Sequence, residues 1–109
     1  MIRIRVLKNA QAVPVGLRSG GHAGYDQSGF DIICSAVSVL EQNLANSVHA
    51  LTDARFTCEI DEKTGTFLFQ LIDQNDEKAG LLLASCLLGL EAVQEAYGND
   101  YLTITDQEV

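Results

Sequence analysis

The chain has no tryptophan, one proline and one methionine, and positive charge is scarce: seven Lys and Arg stand against fifteen Asp and Glu. A formal net charge of −8 argues against nucleic acid or anionic lipid as direct ligands, because both reward a cationic surface. The same charge would suit a basic partner, although solubility alone also accounts for its sign. Arg3, Arg5, Lys8 and Arg18 all precede the first glycine pair, and no positive residue follows Lys78. Three cysteines, Cys34, Cys58 and Cys86, cannot all pair within the chain, and they contain no Cys-x-x-Cys spacing. A disulfide framework and a zinc knuckle are therefore disfavoured, no metal or cofactor is expected, and a reducing cytoplasm is the expected compartment.

Long apolar runs are missing as well. The longest, AGLLLASCLLGL at 79–90, reaches about half a bilayer span, so no membrane contact is expected. The opening MIRIRVLKN alternates and lacks the apolar core of a signal peptide, which points away from export. A chain of 109 residues can bury one core, and the expectation is a single domain over 1–109.

Periodicity supplies the rest of the outline. IRIRV (2–6) alternates with Ile2, Ile4 and Val6 on one face and Arg3 and Arg5 on the other, which predicts a half-buried strand. AVPVGLRSGG (12–21) predicts a weaker second strand, which Pro14 either confines to an edge or makes start late. QSGFDIICSAVSVLEQNLANSVHAL predicts a helix whose stripe is Ile33, Val37, Leu40, Leu44, Val48 and Leu51. Ser28 or Gly29 would cap it, with Asp31 in its first turn. ARFTCEID (54–61) and TFLFQLI (66–72) form a hairpin across EKTG, with Phe56, Cys58 and Ile60 inward on one strand and Phe67, Phe69 and Leu71 on the other. A second helix runs from about Asn75 to Tyr97 with a stripe of Leu82, Cys86, Gly89 and Val93, and YLTIT (101–105) is a last strand. The order ββαββαβ predicts an α+β domain: a mixed β-sheet with two helices packed on one face. Leu81, Leu87 and Leu88 fall off the second helix's stripe, so that helix has more than one thing to pack against, a subunit interface being one candidate.

One of the two histidines and one of the three cysteines stand twelve residues apart in GGHAGYDQSGFDIIC. Cys34 falls in the first turn or so of the first helix, where the helix dipole lowers a thiol's pKa and favours the nucleophilic thiolate. It projects about 100° from the centre of the core stripe, where a group is both held and reached. Asp31 and Ser38 stand at i−3 and i+4 from it, on the same flank. Alone, Cys34 reads first as a small packing residue and His22 as a solvated turn residue. Together, they place a base at a strand end facing a nucleophile on the next element. Gly21 and Gly24 permit unusual backbone angles, and the joining segment Ala23, Gly24, Tyr25, Asp26, Gln27, Ser28 and Gly29 could move as a flap over a substrate. Cys58 and Cys86 read as core, and His49 as a residue near the last carbonyls of the first helix. GGHAG is no P-loop, and DQNDE lacks the spacing of a calcium loop.

GHA at 21–23, a short loop, and GFDIICSAVSVL at 29–40 resemble the bacterial ribosomal-processing cysteine protease family, and the resemblance runs the length of the chain. It implies a thiol protease that removes an N-terminal extension from a large-subunit ribosomal protein, and a homodimer. It implies His22 as base and Cys34 as nucleophile, with Asp31 and Ser38 at positions the family also carries. Asp31 then either orients His22 or only caps the helix. The rival from another class is a non-catalytic dimeric module that binds a peptide or a ribosomal protein through the same glycine loop.

Overall fold

The computed structural model describes residues 1–21 and 30–109. Its elements follow the expected order: β1 (Ile2–Lys8), β2 (Pro14–Gly20), α1 (Phe30–Leu51), β3 (Phe56–Asp61), β4 (Thr66–Leu71), α2 (Glu77–Tyr97) and β5 (Leu102–Glu108). The five strands form one mixed sheet in the order β3-β4-β2-β1-β5. β1 pairs antiparallel with β2 and parallel with β5, and β4 lies antiparallel between β2 and β3.

Strand alternation decides which face is wet. Ile2, Ile4, Leu17, Phe67, Phe69 and Leu102 share one face and meet Ile33, Val37, Leu44 and Val48 of α1 and Ala79, Leu83 and Leu90 of α2 in a single core. Burying each such large side chain stabilises the fold by roughly 1.5–3 kcal/mol. Arg3, Arg5 and Arg18 take the opposite face and remain exposed. Both helices therefore cover one side of the sheet, as an α+β arrangement requires.

The register corrects several details. Pro14 does not force β2 to an edge. It opens the strand, where its missing N–H is harmless, and β2 lies in the middle of the sheet. Leu51, read as part of the first helix's stripe, is 66% exposed, because the helix ends there beyond the core. Cys58 does pair with Phe69, and Ile60 with Phe67, so both sit on the helix side of the sheet as expected. Neither is buried, because β3 is an edge strand that the helices do not cover: Cys58 is exposed and Ile60 is 61% exposed.

On α2 the buried residues are Ala79, Leu83, Cys86 and Leu90. The expected stripe shared only Cys86 with them. A helix apolar on several sides does not set its own rotation, and here Leu40 of α1 decides it. A Cβ at Gly89 would lie 2.8 Å from a Leu40 methyl, so the Gly89 flank faces α1 while Leu83 and Leu90 face the core. The ends of α2 are closed by Asp76, whose side chain accepts from the Ala79 amide at 2.9 Å, and by Gly98 at φ 83°. The helix is long and apolar enough to cross a membrane by length and composition. In the fold, however, four of its residues go to the core of a sheet protein.

Candidate active site

The flank of α1 that borders the core carries a line of polar groups. Asp31, Cys34, Ser38 and Glu41 follow one another at spacings of three, four and three, so they lie along one side of the helix. Their burial increases along the helix: Asp31 is exposed, Cys34 and Ser38 are half-buried, and Glu41 is 3% exposed. Cys34 packs against the core while part of it stays open to solvent. Ser38, Glu41 and Gln42 line a cleft of about 240 Å³ between α1 and the β3–β4 turn, closed on its other side by Ile60, Asp61, Glu62, Gly65, Thr66 and Phe67.

The expected lowering of the Cys34 thiol is not what its surroundings do. Among the described residues, partial burial pushes its pKa up, the charge of Asp31 pushes it up further, and the amino group of Met1 opposes them. The physical reason is position. α1 begins at Phe30, which makes Cys34 its fifth residue, beyond the first turn where the free N–H groups and the dipole act. Asp31, inside the first turn, is a helical residue and not the cap. A thiolate at Cys34 therefore needs a cationic partner, which its own helix does not provide.

Strand β2 ends against Met1, whose amino charge acts on Cys34. Gly21 adopts φ 92°, a conformation that side chains rarely take, and a Cβ there would overlap the Met1 carbonyl oxygen. Both demands select glycine. Met1 is thus shared: its backbone packs on Gly21 and its amino charge reaches Cys34. His22, Ala23, Gly24, Tyr25, Asp26, Gln27, Ser28 and Gly29, expected to supply base and flap, lie outside the described residues.

The other two cysteines part company. Cys86 is buried beneath α1, with its Sγ 3.5 Å from the Leu40 carbonyl oxygen, and burial followed by the charge of Glu41 pushes its pKa up to about 12. Cys58 is exposed, yet partial desolvation, then Glu41 and Glu59, still push its thiol up. Among the described residues, no three His, Cys, Asp or Glu side chains gather as a metal site.

Glu41 escaped the reading of the sequence. Its carboxylate accepts a hydrogen bond from the Ser19 hydroxyl, and these two are the buried polar residues among those described. Burial pushes the Glu41 pKa up to about 7, with the Ser19 bond pulling the other way. The signal was available, since Glu41 continues the line Asp31, Cys34, Ser38 by one more three-residue step.

An α+β fold with a half-buried cysteine near the start of its first helix, and a glycine-forced strand end beside it, has the layout of a small cysteine hydrolase. The family model for the cysteine protease Prp matches residues 1–102, and the chain belongs to that family. The ribosomal processing cysteine protease Prp of Staphylococcus aureus is 27% identical over 100 residues, covering 92% of this chain and 94% of its own. That of Bacillus subtilis is 26% identical over 109 residues, covering 96% of each. The crystal structure of the essential ribosomal processing protease Prp from S. aureus with a substrate peptide superposes with a TM-score of 0.92. It is 25% identical and covers 98% of this chain and 100% of its own.

Proposed function

We propose that this chain is a cytoplasmic cysteine endopeptidase that removes the N-terminal extension of a large-subunit ribosomal protein, with Cys34 as nucleophile and His22 as base. The observation that carries the reading is Cys34 itself: half-buried on the core margin of α1, on the same flank as Asp31 and Ser38, in a chain of the Prp family. The relatives of that family are named for ribosomal processing, and one is bound to a substrate peptide.

In the reaction, the Cys34 thiol proton passes to the His22 imidazole. The thiolate attacks the scissile carbonyl carbon, forming the C–S bond as the carbonyl electron pair moves to oxygen. Collapse breaks the C–N bond, and the proton held by His22 goes to the leaving amine. Water then attacks the thioester, giving a proton to His22 that returns to sulfur as the acid product leaves. Because burial and Asp31 both oppose a lone thiolate, the imidazolium is the counter-charge that makes it, and activity follows the ionisation of the pair. Asp31 then acts on the imidazolium, whose charge it favours, and Ser38 borders the bound peptide. Residues 23–29 are the proposed cover over that peptide, and two copies associate through the outward apolar residues Leu81 and Leu88 of α2 and Ile32 and Val39 of α1, all more than 60% exposed.

The test is the chain incubated with its own extended large-subunit ribosomal protein, read by intact mass. The expected result is loss of the extension with wild type and no loss with Cys34→Ala, whose alanine suits a helix. Turnover retained in a folded Cys34→Ala protein excludes the nucleophile, and a wild-type protein that binds the substrate without cutting it is the non-catalytic module.

A further inference from the structure

We propose that the buried Ser19–Glu41 hydrogen bond is a positioning tie that sets the end of β2 against α1, so that the base and nucleophile proposed above are held at reacting distance. The inference rests on that pairing of His22 with Cys34 and adds Ser19 and Glu41 as positioning residues.

The first argument is energetic. Ser19 is 1% exposed and Glu41 3%, in a layer otherwise filled by aliphatic and aromatic side chains. Burying a carboxyl group is costly, and a buried polar pair is often matched or exceeded in stability by apolar residues of similar volume. Packing alone therefore does not account for a glutamate here. Glu41 is faced by Ser19 from β2, and its charge is felt by Cys58 on β3 and Cys86 on α2. Burial pushes its own pKa up to about 7, against the pull of the Ser19 hydrogen bond.

The second argument is placement. Ser19 is on the inner face of β2, in register with Ile4 on one side and Phe67 on the other. It is the last residue of the strand with a side chain to anchor, because Gly20 and Gly21 follow. Among the described residues, a Cβ at Gly20 would meet a Thr66 methyl at 3.5 Å, so the side-chain anchor at this end of the strand is Ser19. Residue 22 is three residues beyond Ser19, within about 10 Å by chain length alone. On the partner element, Glu41 stands seven residues after Cys34, about 10 Å along a rigid helix. The hydrogen bond thus joins the two elements through their side chains at matched distances from the groups proposed to react. A displacement of about 1 Å at such a site can lower the rate by roughly 10²-fold.

The experiment uses the full chain with the double variant Ser19→Ala/Glu41→Leu, the single variant Ser19→Ala, and Glu41→Gln, which keeps an acceptor for the serine hydroxyl. Three quantities are read: the thermal midpoint, kcat and KM on the extended ribosomal protein, and the pH dependence of Cys34 alkylation by iodoacetamide, located by peptide mass. The double variant should melt no lower than wild type, lose about tenfold or more in kcat with KM within about twofold, and move Cys34 alkylation to the pH range of an ordinary thiol. Glu41→Gln should recover most of that kcat. Wild-type kcat and an unshifted alkylation profile in the folded double variant would overturn the tie, leaving Ser19 and Glu41 as packing. If the double variant does not fold, Ser19→Ala carries the same expectation, and wild-type kinetics in it overturn the proposal equally. Failure of the parent reading looks different: wild-type Cys34 alkylates as an ordinary thiol and Cys34→Ala still cleaves, which removes the reacting pair and the tie with it.

Discussion

The two helices lie on the same face of the same sheet, yet they are built for different work. α1 places an apolar stripe, Ile33, Val37, Leu44 and Val48, beside a polar line, Asp31, Cys34, Ser38 and Glu41. α2 has no such line: its buried residues are Ala79, Leu83, Cys86 and Leu90, and its outward residues Leu81 and Leu88 are apolar too. A helix with a narrow apolar stripe has one rotation that buries it, so the groups along its margin are placed accurately. A helix that is apolar nearly all round can be rotated by its neighbours, as Leu40 rotates α2 through Gly89. The division suits a protein that must place reactive groups on one element and draw stability, and a second surface, from the other.

That division is open to attack from the α2 side first. Leu90→Ala removes a side chain that is fully buried in the core. It should destabilise the fold by about 2–5 kcal/mol. The folded fraction should still cleave with wild-type kcat, as seen when denaturant melts are paired with initial rates at low temperature. A loss of kcat in protein shown to be folded would mean that α2 shapes the site directly, and the contrast would fail.

A smaller effect, on the α1 side, is the pH dependence carried by Glu41. Its pKa is raised from 4.5 in the open chain to about 7 in the fold. The folded state therefore binds the proton more tightly, so the carboxyl's contribution is full below the lower value and is lost as pH rises through the upper one. Glu41→Gln cannot ionise. Its thermal midpoint relative to wild type should rise steadily between about pH 5 and about pH 8, with little further change above that. A constant difference across the range would show that Glu41 is not the group that titrates.

The sequence made the order of elements legible because β1, the hairpin and α1 each carry a clean period. The alternation of β1, the hairpin and the single stripe of α1 each admit one arrangement. The motif residues between Gly21 and Cys34 led to the family for a different reason, being spaced by chemistry and not by packing. What could not be read depends on partners distant in the chain. The rotation of α2 is decided by Leu40, the exposure of Cys58 by which strand takes the sheet edge, and the upward shift of Cys34 by its neighbours and by where α1 begins. Glu41 stands between the two cases: its place on the line of Asp31, Cys34 and Ser38 was legible, but its burial depends on Ser19, 22 residues away.

The smallest expected effect sharpens the comparison at the two cysteines outside the proposed site. On the alternation of the sequence alone, Cys58 and Cys86 are equivalent core residues, and both should suffer from conversion to serine. The fold separates them. Cys86 is buried between the helices with its sulfur directed at the Leu40 carbonyl, so a serine there must place a hydroxyl in apolar surroundings with one acceptor in reach. That change should lower stability by about 1–3 kcal/mol. Cys58 is on the edge strand, open to water, and a serine hydroxyl there is solvated. Its replacement should leave stability within about 0.5 kcal/mol of wild type. Neither change should alter kcat, since neither thiol belongs to the reacting pair. Labelling follows the same order: at mildly alkaline pH in the folded protein, a neutral maleimide should modify Cys58 readily and Cys86 hardly at all, because burial both shields the Cys86 sulfur and holds its pKa near 12. Equal destabilisation by the two serine substitutions, with equal labelling of the two thiols, would mean that α1 and α2 do not close over Cys86, and that the second helix is held less firmly than its four buried residues require.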